Sequence, residues 1–213
     1  MNSKIPKYHG VDEIRSLFEE RKISIRQRLD EFAAVRPDQY FYELVYCLLT
    51  PQSSAVNAAK AVEFLRSVDV FGKDIDAAGL LHQKDFYVRF HNTKANHIRL
   101  AKDNFPFIRE MICNGSTSLQ LREWLVKNVK GLGWKEASHF LRNIGHRNLA
   151  ILDRHILKNL KRHRVLRELP RSLTPKRYRS IEDKFARFAK AVGITMDELD
   201  LLFWSRETGE ILK

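Results

Sequence analysis

The chain has 213 residues, 44% of them hydrophobic, which is ample for a buried core and excludes a disordered chain. Lys and Arg outnumber Asp and Glu by 38 to 26, a formal charge of +12, so a polyanionic partner is expected and nucleic acid is the natural one. An anionic membrane surface is the rival, but no run approaches the roughly eighteen apolar residues of a spanning helix, and the opening MNSKIPKYHG lacks the apolar region of a signal peptide, so no membrane association and a cytoplasmic location are expected.

Val11 to Lys22 and Ile23 to Val35 read as two amphipathic helices, with Ile14, Leu17, Phe18 and then Ile25, Leu29, Phe32 at three- and four-residue spacing. After the break at Pro37, Asp38 is expected to cap a strongly apolar helix from Tyr40 to Leu49, which must stop at Thr50-Pro51 because a residue before proline resists the α region. Gln52-Ser53-Ser54 caps the next helix, Ala55 to Val68, whose alanines permit close packing. Ile75 to Phe86 carries only short helical pieces. Thr93 is expected to cap the helix from Lys94 to Cys113, which Pro106 should kink or divide, and Phe90 just before it is either a loop anchor in the core or an exposed aromatic able to wedge into a base stack.

Asn114-Gly115 ends that helix, and Thr117 or Ser118 starts another that runs to Lys130. Beyond it come Arg154 to His163, with a basic face of Arg154, Lys158, Lys161 and Arg162, then Lys176 to Val192, and a last helix Met196 to Arg206 behind a Thr195 capping box. No segment alternates with a two-residue period, so the fold class is all-α. Cys47 and Cys113 lie in apolar helical contexts that favour buried free thiols, and His97, His155 and His163 have no partners at metal spacing, so they read as surface or phosphate-side residues and no metal site is expected.

The most informative stretch is VKGLGWKEASHFLRNIGHRNLAILD, from Val129 to Asp153. Gly131-Leu132-Gly133 permits positive φ and close backbone approach between two helical patterns, Leu121 to Lys130 and Trp134 to Ile144, making a helix–hairpin–helix. A glycine hairpin opening a helix leaves backbone N–H groups available to a phosphate, although an ordinary two-helix turn would look the same. Lys135 stands in the first turn of that helix, where the dipole and the nearby Lys127 and Lys130 all favour its neutral, nucleophilic amine. Asp153, eighteen residues on, stands where a helix cap belongs and where a carboxylate stays charged.

Lysine and aspartate at this spacing around such a hairpin resemble the signature of the helix–hairpin–helix, endonuclease III-like DNA glycosylases. Within that superfamily the short length, the absence of cysteines for an iron–sulfur cluster, and the ending Leu-Leu-Phe-Trp-Ser-Arg-Glu-Thr-Gly-Glu-Ile-Leu-Lys resemble the archaeal-type 8-oxoguanine DNA glycosylase/AP lyase family, the second Ogg family. The resemblance implies a six-helix barrel lobe over residues 36–149 that includes the hairpin, a second lobe from residues 1–35 and 150–213, and duplex DNA across the cleft between them. It implies that Lys135 attacks C1′ and Asp153 assists, that Gln52 fills the hole left by a flipped base, that Phe90 intercalates, and that Lys130, Gly131, Gly133, Arg154 and Lys158 meet DNA. Lys213, whose carboxylate offers two acceptors to the N1–H and N2–H₂ edge of a guanine-type base, and Trp204 as a pocket wall are the base-recognition candidates. No cofactor is implied. A monomer acting on 8-oxoguanine-containing DNA at the nucleoid is expected, with a lyase-competent glycosylase for another oxidised base, or a non-enzymatic helix–hairpin–helix DNA-binding module, as the alternatives.

Overall fold

The computed structural model describes residues 8–211, which form α-helices joined by short loops and one minimal hairpin. They fall into two compact units, one running from the amino-terminal side to Ala34 and resuming at Gly145, the other spanning Val35–Ile144.

In the second unit the organising element is α2, Tyr40–Leu49, whose residues from Phe41 to Leu49 are all buried. Gln39, not Asp38, precedes its first turn; Asp38 is drawn away to Arg36, 3.1 Å from its carboxylate. Around α2 pack α3 (Ala55–Ser67), α4 (His91–Asp103) and α7 (Trp134–Asn143). Ser54 caps α3 by accepting the Asn57 N–H, as its residue type favours. The weakly patterned stretch before α4 holds a 3₁₀ turn, Gly79–Leu81, and two two-residue strands, β1 (His82–Gln83) and β2 (Phe86–Tyr87), paired His82 to Tyr87 and Gln83 to Phe86. A two-residue strand is too short to display alternation, which is why it left no trace in the pattern.

Pro106 divides the long helix outright: α4 ends at Asp103, and α5, Phe105–Cys113, takes the proline in its first turn, where its missing N–H costs nothing. Phe105 closes an aromatic cluster with Phe41 and Phe71 at ring separations of 4.5 to 5.4 Å. Cys47 is buried, whereas Cys113, at the last turn of α5, is exposed against expectation. The helix α6, Ser118–Asn128, opens on a Thr117–Gln120 capping box and leads to α7. Arg122 of α6 is buried, donates to Ser138 at 3.2 Å and lies 4.7 Å over the Trp134 ring, so the two arms of the hairpin are cross-braced by a cation–π contact.

In the first unit, α1 is one continuous helix, Val11–Ala33, not the two expected. Neither glycine nor proline interrupts Lys22-Ile23, and Ile14, Phe18, Ile25, Leu29 and Phe32 form a single buried stripe. Ile23, taken as the start of a second helix, is 78% exposed. Helix α1 packs on α9 (Pro175–Val192) and α10 (Met196–Thr208), and α8 (Arg154–Arg162) packs on α10. His163 is fully buried, its ring stacked on Phe188 and Phe203 and its Nδ1 2.8 Å from the His9 carbonyl, so it is a core residue and not the phosphate-side residue expected.

Candidate active site

The hairpin between α6 and α7 places its two glycines in different roles. Gly131 has φ 95°, and a Cβ there would lie 2.5 Å from His97 Nδ1 and 3.0 Å from Leu48 Cδ2, so both conformation and space demand glycine. Gly133 is extended at φ −90° and needs no special freedom, contrary to the expectation for the pair. It is the residue before α7 and has no side chain with which to cap the helix.

Lys135 follows in the first turn of α7, half-buried. Its immediate electrostatic neighbour is an anion: Glu136 Oε1 is 3.1 Å from Lys135 Nζ, a contact the chain-order argument from Lys127 and Lys130 passed over. An acidic residue directly after the lysine in a helix's first turn was the available signal. Lys130 is exposed at the hairpin. His97, partly exposed, lies against Gly131, and its pKa is pulled down by burial and then by Lys130 and Lys94.

Gln52 and Phe90 belong to the same unit as Lys135. Both are exposed and both adopt left-handed backbone, φ 56° and 61°, which is uncommon for residues with side chains. Phe90, 49% exposed, is the residue before α4, so Thr93 lies inside that helix and does not cap it. An exposed aromatic held in the left-handed region excludes the reading of Phe90 as a core anchor.

The other unit holds Asp153, Arg154, Lys158 and Trp204. Tyr178 and Glu182 of α9 fix the chain leading to the aspartate: the Tyr178 hydroxyl donates to the Ala150 carbonyl at 2.6 Å and accepts the Leu152 N–H, while Glu182 accepts the Ala150 N–H at 2.8 Å. Asp153 then caps α8, its Oδ1 accepting from the N–H groups of His155 and Ile156, each at 2.8 Å. Its Oδ2 accepts from the indole Nε1–H of Trp204, also at 2.8 Å. Both oxygens are thus held in direction, and Trp204, expected as a pocket wall, spends its one donor on the aspartate. His155 is not a free surface residue either, since its ring packs edge-on to Trp204 at 5.4 Å.

The basic face of α8 is partly neutralised. Lys158 lies 3.5 Å from Glu207, Arg162 lies 3.3 Å from Glu13, and Arg154 leans on the His155 ring. Glu207, which the sequence reading did not single out, also faces His155 and Asn159, and its carboxyl is held below the usual range by Lys158 and His155 against the opposing effect of burial. Lys213 lies outside the described residues. Among the described residues no three His, Cys, Asp or Glu side chains gather as metal ligands, and no helix is long and apolar enough to cross a membrane.

The 8-oxoguanine DNA glycosylase family with the helix–hairpin–helix, Ogg-HhH, matches residues 25–194. The chain belongs to this family. It is 42% identical to the 8-oxoguanine DNA glycosylase/AP lyase of Korarchaeum cryptofilum, over 89% of this chain and 90% of the relative, and 40% identical to that of Fusobacterium nucleatum, over 95% and 97%. Among solved structures, the Methanocaldococcus jannaschii 8-oxoguanine glycosylase/lyase in complex with a 15mer DNA containing 8-oxoguanine matches with a TM-score of 0.85 at 32% identity, covering 95% of this chain and 99% of that one. The fold is therefore the all-α helix–hairpin–helix glycosylase fold.

Proposed function

We infer that this chain is a base-excision repair enzyme, a bifunctional 8-oxoguanine DNA glycosylase/AP lyase that acts on double-stranded DNA. Its likeness along 95% of its length to a glycosylase/lyase bound to 8-oxoguanine DNA supports this reading, as does the name shared by its relatives. The observation that carries the mechanism is Lys135, half-buried in the first turn of a helix without a side-chain cap. A pure DNA-binding hairpin needs cationic charge but has no use for a carboxylate such as Asp153 eighteen residues on.

We assign the nucleophile to Lys135. The damaged nucleotide leaves the stack at a cost of a few kcal/mol, met by phosphate contacts and by insertion of Gln52 and Phe90. The Lys135 nitrogen bonds to C1′ as the glycosidic bond breaks and its electron pair departs with the base. Glu136, at 3.1 Å, is within reach of the proton that the amine gives up. Asp153 stabilises the positive charge that develops on the sugar. Opening of the sugar ring yields an imine between Lys135 and C1′, which acidifies the 2′ proton; its removal expels the 3′ phosphate and cuts the strand. Lys130, the hairpin amides around Gly131 and Gly133, Arg154 and Lys158 are assigned to phosphates. We place the enzyme in the cytoplasm, on the nucleoid, where its substrate lies.

Borohydride reduces an imine to a stable amine, so incubation with an 8-oxoguanine duplex should leave a covalent protein–DNA adduct. Lys135→Gln should lose both the adduct and strand cutting. An adduct that persists in the variant would move the nucleophile elsewhere.

A further inference from the structure

The two exposed residues assigned to the disturbed base stack stand on loops 38 positions apart in sequence, Gln52 after α2 and Phe90 before α4. Each loop tip is in the left-handed region, a conformation that persists only where surrounding contacts over-determine it. Those contacts converge on Lys94, which is 5% exposed although it carries an ammonium group.

Lys94 Nζ donates to the carbonyls of Leu49 and Pro51, both at 2.7 Å, and to Ser53 Oγ at 3.0 Å. Three protons thus meet three oxygens. Two of those oxygens belong to the end and exit of α2, where carbonyls lack intrahelical partners and the dipole favours a cation. Ser53 Oγ also accepts the Arg89 N–H at 3.0 Å, which ties the Gln52 loop to the residue immediately before Phe90, and Asn57 in the first turn of α3 donates to the Tyr87 carbonyl at 3.1 Å. The Lys94 N–H itself bonds the Phe90 carbonyl at 3.0 Å. Burial, and then the charge of Lys135, pull the Lys94 pKa down to about 8. A neutral side chain would tie two loops without that desolvation, but it would not offer three donors from one atom.

We propose that Lys94 is a positioning residue whose ammonium, acting with Ser53, locks the Gln52 loop to the Phe90 loop so that both side chains enter DNA as one preorganised wedge. The proposal rests on the assignment of Gln52 and Phe90 as insertion residues. Loops held in the inserting conformation beforehand have little ordering entropy left to lose when the duplex opens, so Lys94 acts mainly on base flipping.

The test uses the full chain and duplexes in which 2-aminopurine beside 8-oxoguanine reports unstacking by fluorescence, alongside strand cutting at an abasic site in single-stranded DNA, which requires Lys135 but no flipping. Lys94→Met should slow unstacking by about tenfold and change single-stranded cutting, through the charge lost near Lys135, by a much smaller factor. Combined with Gln52→Ala it should add little, because both changes weaken the same step. Ser53→Ala, which removes one of the three acceptors but keeps the buried lysine and its two carbonyl partners, should slow the same step by a smaller factor and keeps the test available should Lys94→Met fail to fold. Unstacking at the wild-type rate in Ser53→Ala and Lys94→Met, with Gln52→Ala impaired, overturns the clamp alone. Wild-type unstacking in Gln52→Ala overturns the insertion assignment on which the clamp stands. Equal loss of unstacking and single-stranded cutting in Lys94→Met reduces Lys94 to a fold residue and also overturns the clamp.

Discussion

The two units hold their candidate catalytic groups by different physical means. The Asp153 carboxylate is aimed mainly by a local device, a helix cap whose two N–H donors come from the next three residues, with long-range support from Trp204 and, for the chain before it, from Tyr178 and Glu182. The hairpin and the loops beside Lys135 depend on residues far away in sequence: Gly131 is fitted against His97 and Leu48, and the Gln52 loop is gripped by Lys94 and joined to Arg89. Capping is written within one turn of chain and survives changes elsewhere. A loop strapped by a buried ammonium is only as good as the packing that brings the strap to it.

The largest expected effect in the first unit is Asp153→Asn. The amide oxygen can keep the cap but its NH2 then faces the Trp204 donor, so some stability is lost, while the rate of base release in single turnover falls by about 100- to 10,000-fold if the charge acts in the transition state. An unchanged rate would leave Asp153 a cap and nothing more. In the second unit, Gly131→Ala should lower stability by about 1–3 kcal/mol, measured by urea unfolding, because the new Cβ meets His97 at 2.5 Å in a backbone conformation with φ 95°. Gly133→Ala, where the backbone is extended and the only close atom is the flexible end of Glu136, should cost less; equal losses would remove the distinction drawn between the two glycines.

Trp204→Phe keeps an aromatic ring against His155 but deletes the donor to Asp153. A hydrogen bond to a charged group contributes about 1.5–3 kcal/mol, so single-turnover base release should fall by roughly 10- to 100-fold with little loss of DNA affinity. A loss confined to binding would return Trp204 to the pocket-wall role. The smallest expected effect is a pH slope. Burial holds the His163 pKa below its usual value of about 6.5, so below that pH the unfolded chain takes up a proton that the folded core does not. Stability present above about pH 6.5 is therefore lost as pH falls through the folded pKa. Melting temperatures measured between pH 7 and 5 should fall less steeply in His163→Phe than in the parent chain; parallel slopes would deny His163 a part in the acid response.

Helix periodicity, the divided helix at Pro106, the capping boxes at Thr117 and Thr195, and the Asp153 cap were legible in the sequence because each is a contest between a residue and its neighbours within one or two turns. The glycine hairpin was legible for the same reason, and the basic composition pointed to DNA, whereas the lysine–aspartate spacing pointed to imine chemistry through its resemblance to the helix–hairpin–helix glycosylases. What the sequence could not decide was which charges find partners. Lys94 shares the buried stripe of Ala95, Ile98 and Ala101, a hint that it is no surface lysine, yet nothing local names its three oxygens. Likewise the α8 face reads as free cations until Glu207 and Glu13 arrive from 49 and 149 residues away. Local propensity acts through the backbone and is carried by the nearest residues; the pairing of charges, the burial of His163 and the clearance at Gly131 depend on distances in space, which only the folded chain sets.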